Sequence, residues 1–265
     1  AIGGLTADHV SNLPSDIFTQ SDGSPNLSAI EQIAALQPEA VAGLSLEHLG
    51  YIPGDAPGPW DPIFEAHEGS DIGAVLTADQ ISNFSNNIIF NHLNSDVIAA
   101  LSPEAASGIS GDVMASIDSE DMSGFTAEHI EALPDDAFSA INDVKLGKLD
   151  PSAMSAFTAE DIDALHNSAS SKLTAEQFEN IPTEALSGFD NDDTNLFRPD
   201  VMEVLDSASL NAMDASAISG FSGSQTALIQ TEAMSGLNGD TFVAFSSHAI
   251  GGLTADHVSN LPSDI

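Results

Sequence analysis

Large apolar residues return every eight positions along most of this chain. Stepping by eight from Leu93 to Leu261 meets 22 residues, all large and apolar. Self-similarity at a short fixed period is the signature of a repeat architecture. Before Leu93 the frame continues with small slips through Leu5, Leu13, Leu27, Leu36, Leu44, Ile52, Trp60, Glu68, Leu76 and Phe84. The octads at Leu27 and Phe84 each carry one extra residue, and SDGSPN (21–26) is a turn-rich loop insertion.

Each octad has a grammar. Position 1 is the apolar anchor. Position 2 is usually Ser, Thr, Asp or Asn, as in Thr126, Thr158, Thr174 and Asp206. Position 3 is often Pro or Ala, position 4 is usually acidic, position 6 is usually apolar and position 8 is small, often Gly. This order suits a very short helix. Position 2 is an N-cap that accepts an orphan backbone N–H. Pro or Ala opens the helix, and the acid sits where the helix dipole favours it. Gly at position 8 is expected to make a left-handed exit. Leu-Pro pairs such as Leu133–Pro134 stop a helix from crossing the boundary.

Octads alternate in kind. FTAEHIEA (125–132) and LTAEQFEN (173–180) represent one kind, LSPEAASG (101–108) and IQTEAMSG (229–236) the other. The alternation predicts pairs of octads as 16-residue coils, two short helices each. Isolated helices this short are unstable in water, so the coils must stack. The expected fold is an all-α solenoid, with positions 1 and 6 inside and position 5 facing solvent. A β-solenoid is the structural rival; abundant Ala, the N-cap grammar and few β-branched residues favour helices.

The two ends carry the same sequence. AIGGLTADHVSNLPSDI stands at residues 1–17 and again at 249–265. The organisation this predicts is one tandem unit over 1–248, about 15 coils, with 249–265 opening the next. The chain begins with Ala1 and shows no signal peptide, as expected of a piece of a longer protein. Residues 50–75 are irregular, hold the only Trp and the only Tyr, and place Glu68 in an anchor slot.

Charge narrows the function. Asp and Glu number 41 against 4 Lys and Arg, a formal net charge of -37. Phosphate binding needs cations, so nucleic acid is not an expected partner, and an anionic membrane surface repels the chain. No uncharged run is apolar enough to span a bilayer. With 42% hydrophobic residues the chain can bury a core despite its charge. No Cys is present, which removes disulfides and thiolate metal sites.

LTAEQFENIPTEALSG (173–188) and LSAIEQIAALQPEAVAGL (27–44) carry the pattern best. This pattern resembles the repeats of giant bacterial cell-surface and adhesin-like proteins. The resemblance covers nearly the whole chain. It implies secretion, extracellular display and a fibre, stalk, surface-layer or adhesive role, and brings no catalytic residues; the repeated ends make copies of the chain, in tandem or in an assembly, the expected partners. An acidic solenoid that binds a protein or glycan is the alternative.

Candidate chemistry is sparse. His9, His48, His129 and His257 all occupy octad position 5, a repeated slot that argues against catalysis at any one of them. No cofactor is expected except calcium. FDNDDTNL (189–196) offers Asp190, Asp192, Asp193 and Asn195 as hard oxygen ligands, and replaces the apolar position 6 with Thr194. Ser21, Asp22 and Asn26 of the inserted loop are a second, weaker calcium candidate.

Overall fold

The computed structural model describes residues 4–14, 16–17, 26, 28–29, 32, 35–45, 48, 60–84, 92–263 and 265, with backbone alone at 60–62. Among these residues it is all helix and no strand. The helices are four to seven residues long, α-helical or 3₁₀. Ser21, Asp22, Tyr51 and most of the 21–26 and 50–59 segments lie outside the described residues.

The octad grammar builds these helices as expected. In Ala175–Asn180, Thr174 caps: its hydroxyl accepts from the Gln177 N–H at 3.2 Å. The Gln177 side chain reaches back to accept from the Thr174 N–H at 3.1 Å, closing a capping box. The helix stops at Ile181, which is extended at φ -69°, ψ 130°. A short helix and two extended corner residues, here Ile181 and Pro182, then repeat.

The chain divides into two compact units, Ala1–Phe125 with Ala132–Pro134, and Thr126–Glu131 with Asp135–Ile265. Within each, helices stack in solenoid fashion. Position-1 anchors point inward: Phe157, Leu173, Phe189, Phe197, Leu205 and Phe221 are all buried. Phe197, Phe221 and Phe245 form a ladder with centroids 6.4 and 6.2 Å apart.

The coil has three helices, not two. In the second unit Asp135–Phe138 packs on Ala159–Ala164, which packs on Thr183–Gly188, which packs on Ser207–Ala212. Each step is 24 residues, three octads. In the first unit Ser95–Ala99 packs on Ser119–Gly124 at the same step. The 16-residue coil is therefore corrected to 24, while the alternation of octad kinds stands. Three is odd, so from Leu93 on each helix of one kind stacks on helices of the other kind, before and after. The alternation is a checkerboard of the stack rather than its turn. Longer local spacing follows insertions: Ala7–Ser11 packs on Pro38–Val41, 31 residues on, across the 21–26 loop and one extra residue.

Two further expectations change. Position 5 is buried in most octads rather than exposed: His48, Gln80, His129, Gln177, Gln225 and His257 lie in the interior, while His9 is exposed. Position-8 glycines do not take left-handed conformations. Gly220, for example, ends its helix at φ -73°. Gly188 is small because its Cα lies on the Ala159 backbone carbonyl of the coil before, which a Cβ would overlap. In the irregular 60–75 stretch the register is shifted. Glu68 is the N-cap of Gly69–Gly73, not an anchor; His67 takes the anchor place. The helix Trp60–Ala66 opens at Trp60, where regular octads put Pro or Ala.

Candidate functional site

The chemistry-bearing side chains of this protein meet between coils. Gln177 shows the arrangement in full. While Oε1 accepts the Thr174 N–H, Nε2 donates to the carbonyls of Leu146 and Leu149 in the preceding coil at 2.8 and 2.9 Å. Gln225 repeats it, bonding Thr194 O at 2.8 Å and Phe197 O at 3.1 Å. Gln80 does the same toward Val41 O and Leu44 O, both at 3.0 Å.

Histidine fills the same slot with one carbonyl bond in place of two. His257 Nδ1 accepts the Thr254 N–H at 3.0 Å, which leaves the proton on Nε2. That nitrogen donates to Ile229 O at 2.8 Å. His48 bridges Ser45 N and Leu13 O in the same way, at 3.0 and 2.9 Å. Gln and His share one property, an acceptor and a donor held apart on a planar group. Each rung satisfies a helix's first N–H and the carbonyls at the corner of the coil before. Buried backbone groups left unpaired are costly, so these rungs make stacking directional.

Shorter side chains modify the rung. At position 5 of 189–196, the Asp193 carboxylate has no hydrogen to give to a corner carbonyl of the coil before. It accepts instead from the Asp190 N–H at 3.2 Å and the Ser170 hydroxyl at 2.8 Å. Burial, offset in part by the Ser170 hydrogen bond, raises the Asp193 carboxyl above the usual carboxylate range. Asp190 Oδ1 accepts from the N–H groups of Asp192 and Asp193 at 2.8 and 3.1 Å. The Asp190–Asn195 segment is thus a capped helix in which Asp190 and Asp193 accept from its first backbone N–H groups and Asp193 also from Ser170. Among the described residues no group of three or more His, Asp or Glu is arranged to hold a metal ion. Thr194, the polar substitute at position 6, is buried and donates to Ala217 O of the following coil at 2.7 Å. Asn26 of the second calcium candidate donates to Ile17 O at 3.0 Å.

His166, Ser168 and Asp143 meet on the surface. Ser168 Oγ lies 3.0 Å from His166 Nδ1 and donates to Asp143 Oδ1 at 3.3 Å. The carboxylate holds the serine rather than the imidazole, which is not the order of a nucleophilic triad. No helix among the described residues is long and apolar enough to cross a membrane. No family model matches the chain, and no curated protein matches it in sequence.

The identical ends present opposite faces. Both copies fold alike locally, Ala7–Ser11 capped by Thr6 with His9 in the box and Ala255–Asn260 capped by Thr254 with His257 in the box. Yet His9 is exposed and His257 is buried on Ile229. Val10 is 0% exposed beneath Pro38–Val41, whereas Val258 is 56% exposed. Position 5 faces the coil before and position 6 the coil after. The sequence signal for the rung was present: Gln or His three residues after a capping Thr or Ser.

Proposed function

We propose that this chain is part of an extracellular structural repeat protein that builds a fibre, stalk or surface filament, with a mechanical role. The reading is supported above all by the rungs. The side chains with catalytic or ligand-binding potential at position 5 serve coil-to-coil hydrogen bonding, repeated from Gln80 to His257. Stability in such a stack is a sum of neighbour interfaces, so length is extended by adding coils. Local contacts also ease folding of a long chain. A net charge of -37 keeps neighbouring stacks apart laterally. The resemblance to repeats of cell-surface and adhesin-like proteins supports display outside the cell.

Electron microscopy of the native protein tests this. Filaments, stalks or surface fibres that antibody against this chain decorates along their length support it. Labelling of discrete soluble particles overturns it.

A further inference from the structure

We propose that the row of helices carrying Lys148 and Lys172 is a lateral docking surface for a second copy of this chain, which it meets on the acidic row of Asp136, Glu160 and Glu184. The inference deepens the structural-repeat reading by naming the partner and the two surfaces. Its basis is the uneven spread of charge around the stack of the second unit. Three octads per coil make three rows of helices. In one row Asp143–Leu146 packs on Ala169–Lys172, which packs on Asn191–Asn195, and the row goes on through Ala215–Ser219 to Gly239–Ala244. Three of the four cations of the chain stand in this row: Lys145, Lys148 and Lys172. Lys145 is buried, whereas Lys148 and Lys172 are exposed. These two hold the same octad position in successive coils, and a Cβ on Gly147 would lie 3.1 Å from the Lys172 Cβ, so their coils touch at that edge. Arg198, the fourth cation, is tied to Asp200 at 3.0 Å.

Residues 141–148 and 165–172 together hold those three cations and one acid, Asp143, a net charge of +2. The row of Asp135–Phe138, Ala159–Ala164 and Thr183–Gly188 is its opposite. Its octads, 133–140, 157–164 and 181–188, hold six acids, Asp135, Asp136, Glu160, Asp161, Asp163 and Glu184, and no Lys or Arg. Asp136, Glu160 and Glu184 are exposed on successive helices. The cationic row is also the more apolar surface. Among the described residues before 249, the exposed large apolar side chains are Val144, Leu196 and Val243, and all three stand in it. In a chain of net charge -37 most surfaces repel one another, so cationic row against acidic row is the lateral contact that the charges favour. The two surfaces differ, so the contact is heterologous and continues from copy to copy.

The test is sedimentation velocity on the full chain over a range of concentrations in about 0.15 M sodium chloride, where screening over about 8 Å damps repulsion between whole stacks but not a pair in contact. The wild type is expected to associate as concentration rises. Lys148→Glu/Lys172→Glu and Glu160→Lys/Glu184→Lys, each folded like wild type by circular dichroism, should each associate at least about tenfold more weakly. Mixed in equal amounts, the two variants should form dimers again, because the first keeps the acidic row and the second keeps the cationic one. Glu176→Lys/Glu203→Lys is the control. It makes the same change of charge at exposed sites on the third row, where Ala175–Asn180 packs on Pro199–Val204, and should associate no more weakly than wild type. A wild type that is monomeric at every concentration overturns the proposal. So does association that survives both reversals, or a mixture that stays monomeric. Binding of polygalacturonate by a chain that remains monomeric would assign the row to an acidic glycan and overturn it too. Filaments of the native protein together with association indifferent to Lys148 and Lys172 would leave the fibre reading standing and remove this one.

Discussion

Gln177 offers the sharpest test of the rung. It is 2% exposed, and its amide serves three backbone groups: Thr174 N–H, Leu146 O and Leu149 O. Gln177→Met keeps the volume and removes all three bonds. A buried hydrogen bond is worth about 1 kcal/mol net, and a buried group left orphaned costs about 1–3 kcal/mol. Water reaching the Thr174 end relieves part of this, so the expected loss is about 3 kcal/mol. Gln177→Ala adds a cavity and should lose about 1–2 kcal/mol more. Gln177→His should lose less than Gln177→Met, about 1–2 kcal/mol, because His257 shows an imidazole keeping the N–H acceptor and one carbonyl bond of the rung while the second carbonyl goes unserved. The assay is urea unfolding combined with amide hydrogen exchange, since coils of a repeat array open locally and a single global midpoint averages over them. Loss of exchange protection should centre on 146–157 and 174–181. If the Met variant is as stable as wild type, or the His and Met variants are alike, the rung does not hold the coils and the reasoning fails.

Other outcomes follow from the same geometry. Gly188→Ala should destabilise by about 1–3 kcal/mol by urea unfolding, because the new Cβ overlaps the Ala159 carbonyl. Leu173→Asp buries a charge at a site 0% exposed and should cost several kcal/mol or unfold its coil, seen as lost helical circular dichroism. Asp193 is raised in the folded state, so the folded chain binds its proton more readily than the unfolded chain and this group's contribution improves as pH falls through its folded value. Wild type should therefore gain stability relative to Asp193→Asn as pH drops from neutrality into the carboxylate range. A constant difference would refute the assignment. Asp136, Glu160 and Glu184 are exposed on three successively stacked helices. Their repulsion is screened over about 8 Å at physiological salt and about 3 Å at 1 M. The melting temperature should rise with sodium chloride, and a flat response would show that the acids do not interact.

The local elements were legible in the sequence because they rest on short-range chemistry. Thr174 and Gln177 meet three residues apart wherever that helix lies, and Leu133–Pro134 ends a helix by sterics alone. The apolar anchors every eight residues likewise foretold a stacked helical repeat. The number of helices per coil was a different matter. It depends on the turn made at each extended corner, such as Ile181, and small dihedral differences summed over three corners decide where the chain returns. A two-kind alternation is compatible with coils of two or of three octads, and only the packing of Asp135–Phe138 on Ala159–Ala164 distinguishes them. That same closure decides which side of each short helix is covered. With three helices per coil, position 5 turns toward the preceding coil, so the Gln and His side chains that local grammar places at a helix's first turn become buried rungs. The two copies of one 17-residue sequence make the division plain. Their caps are alike because caps are local, while the burial of His257 and the exposure of Val258 follow from which neighbouring coil is present.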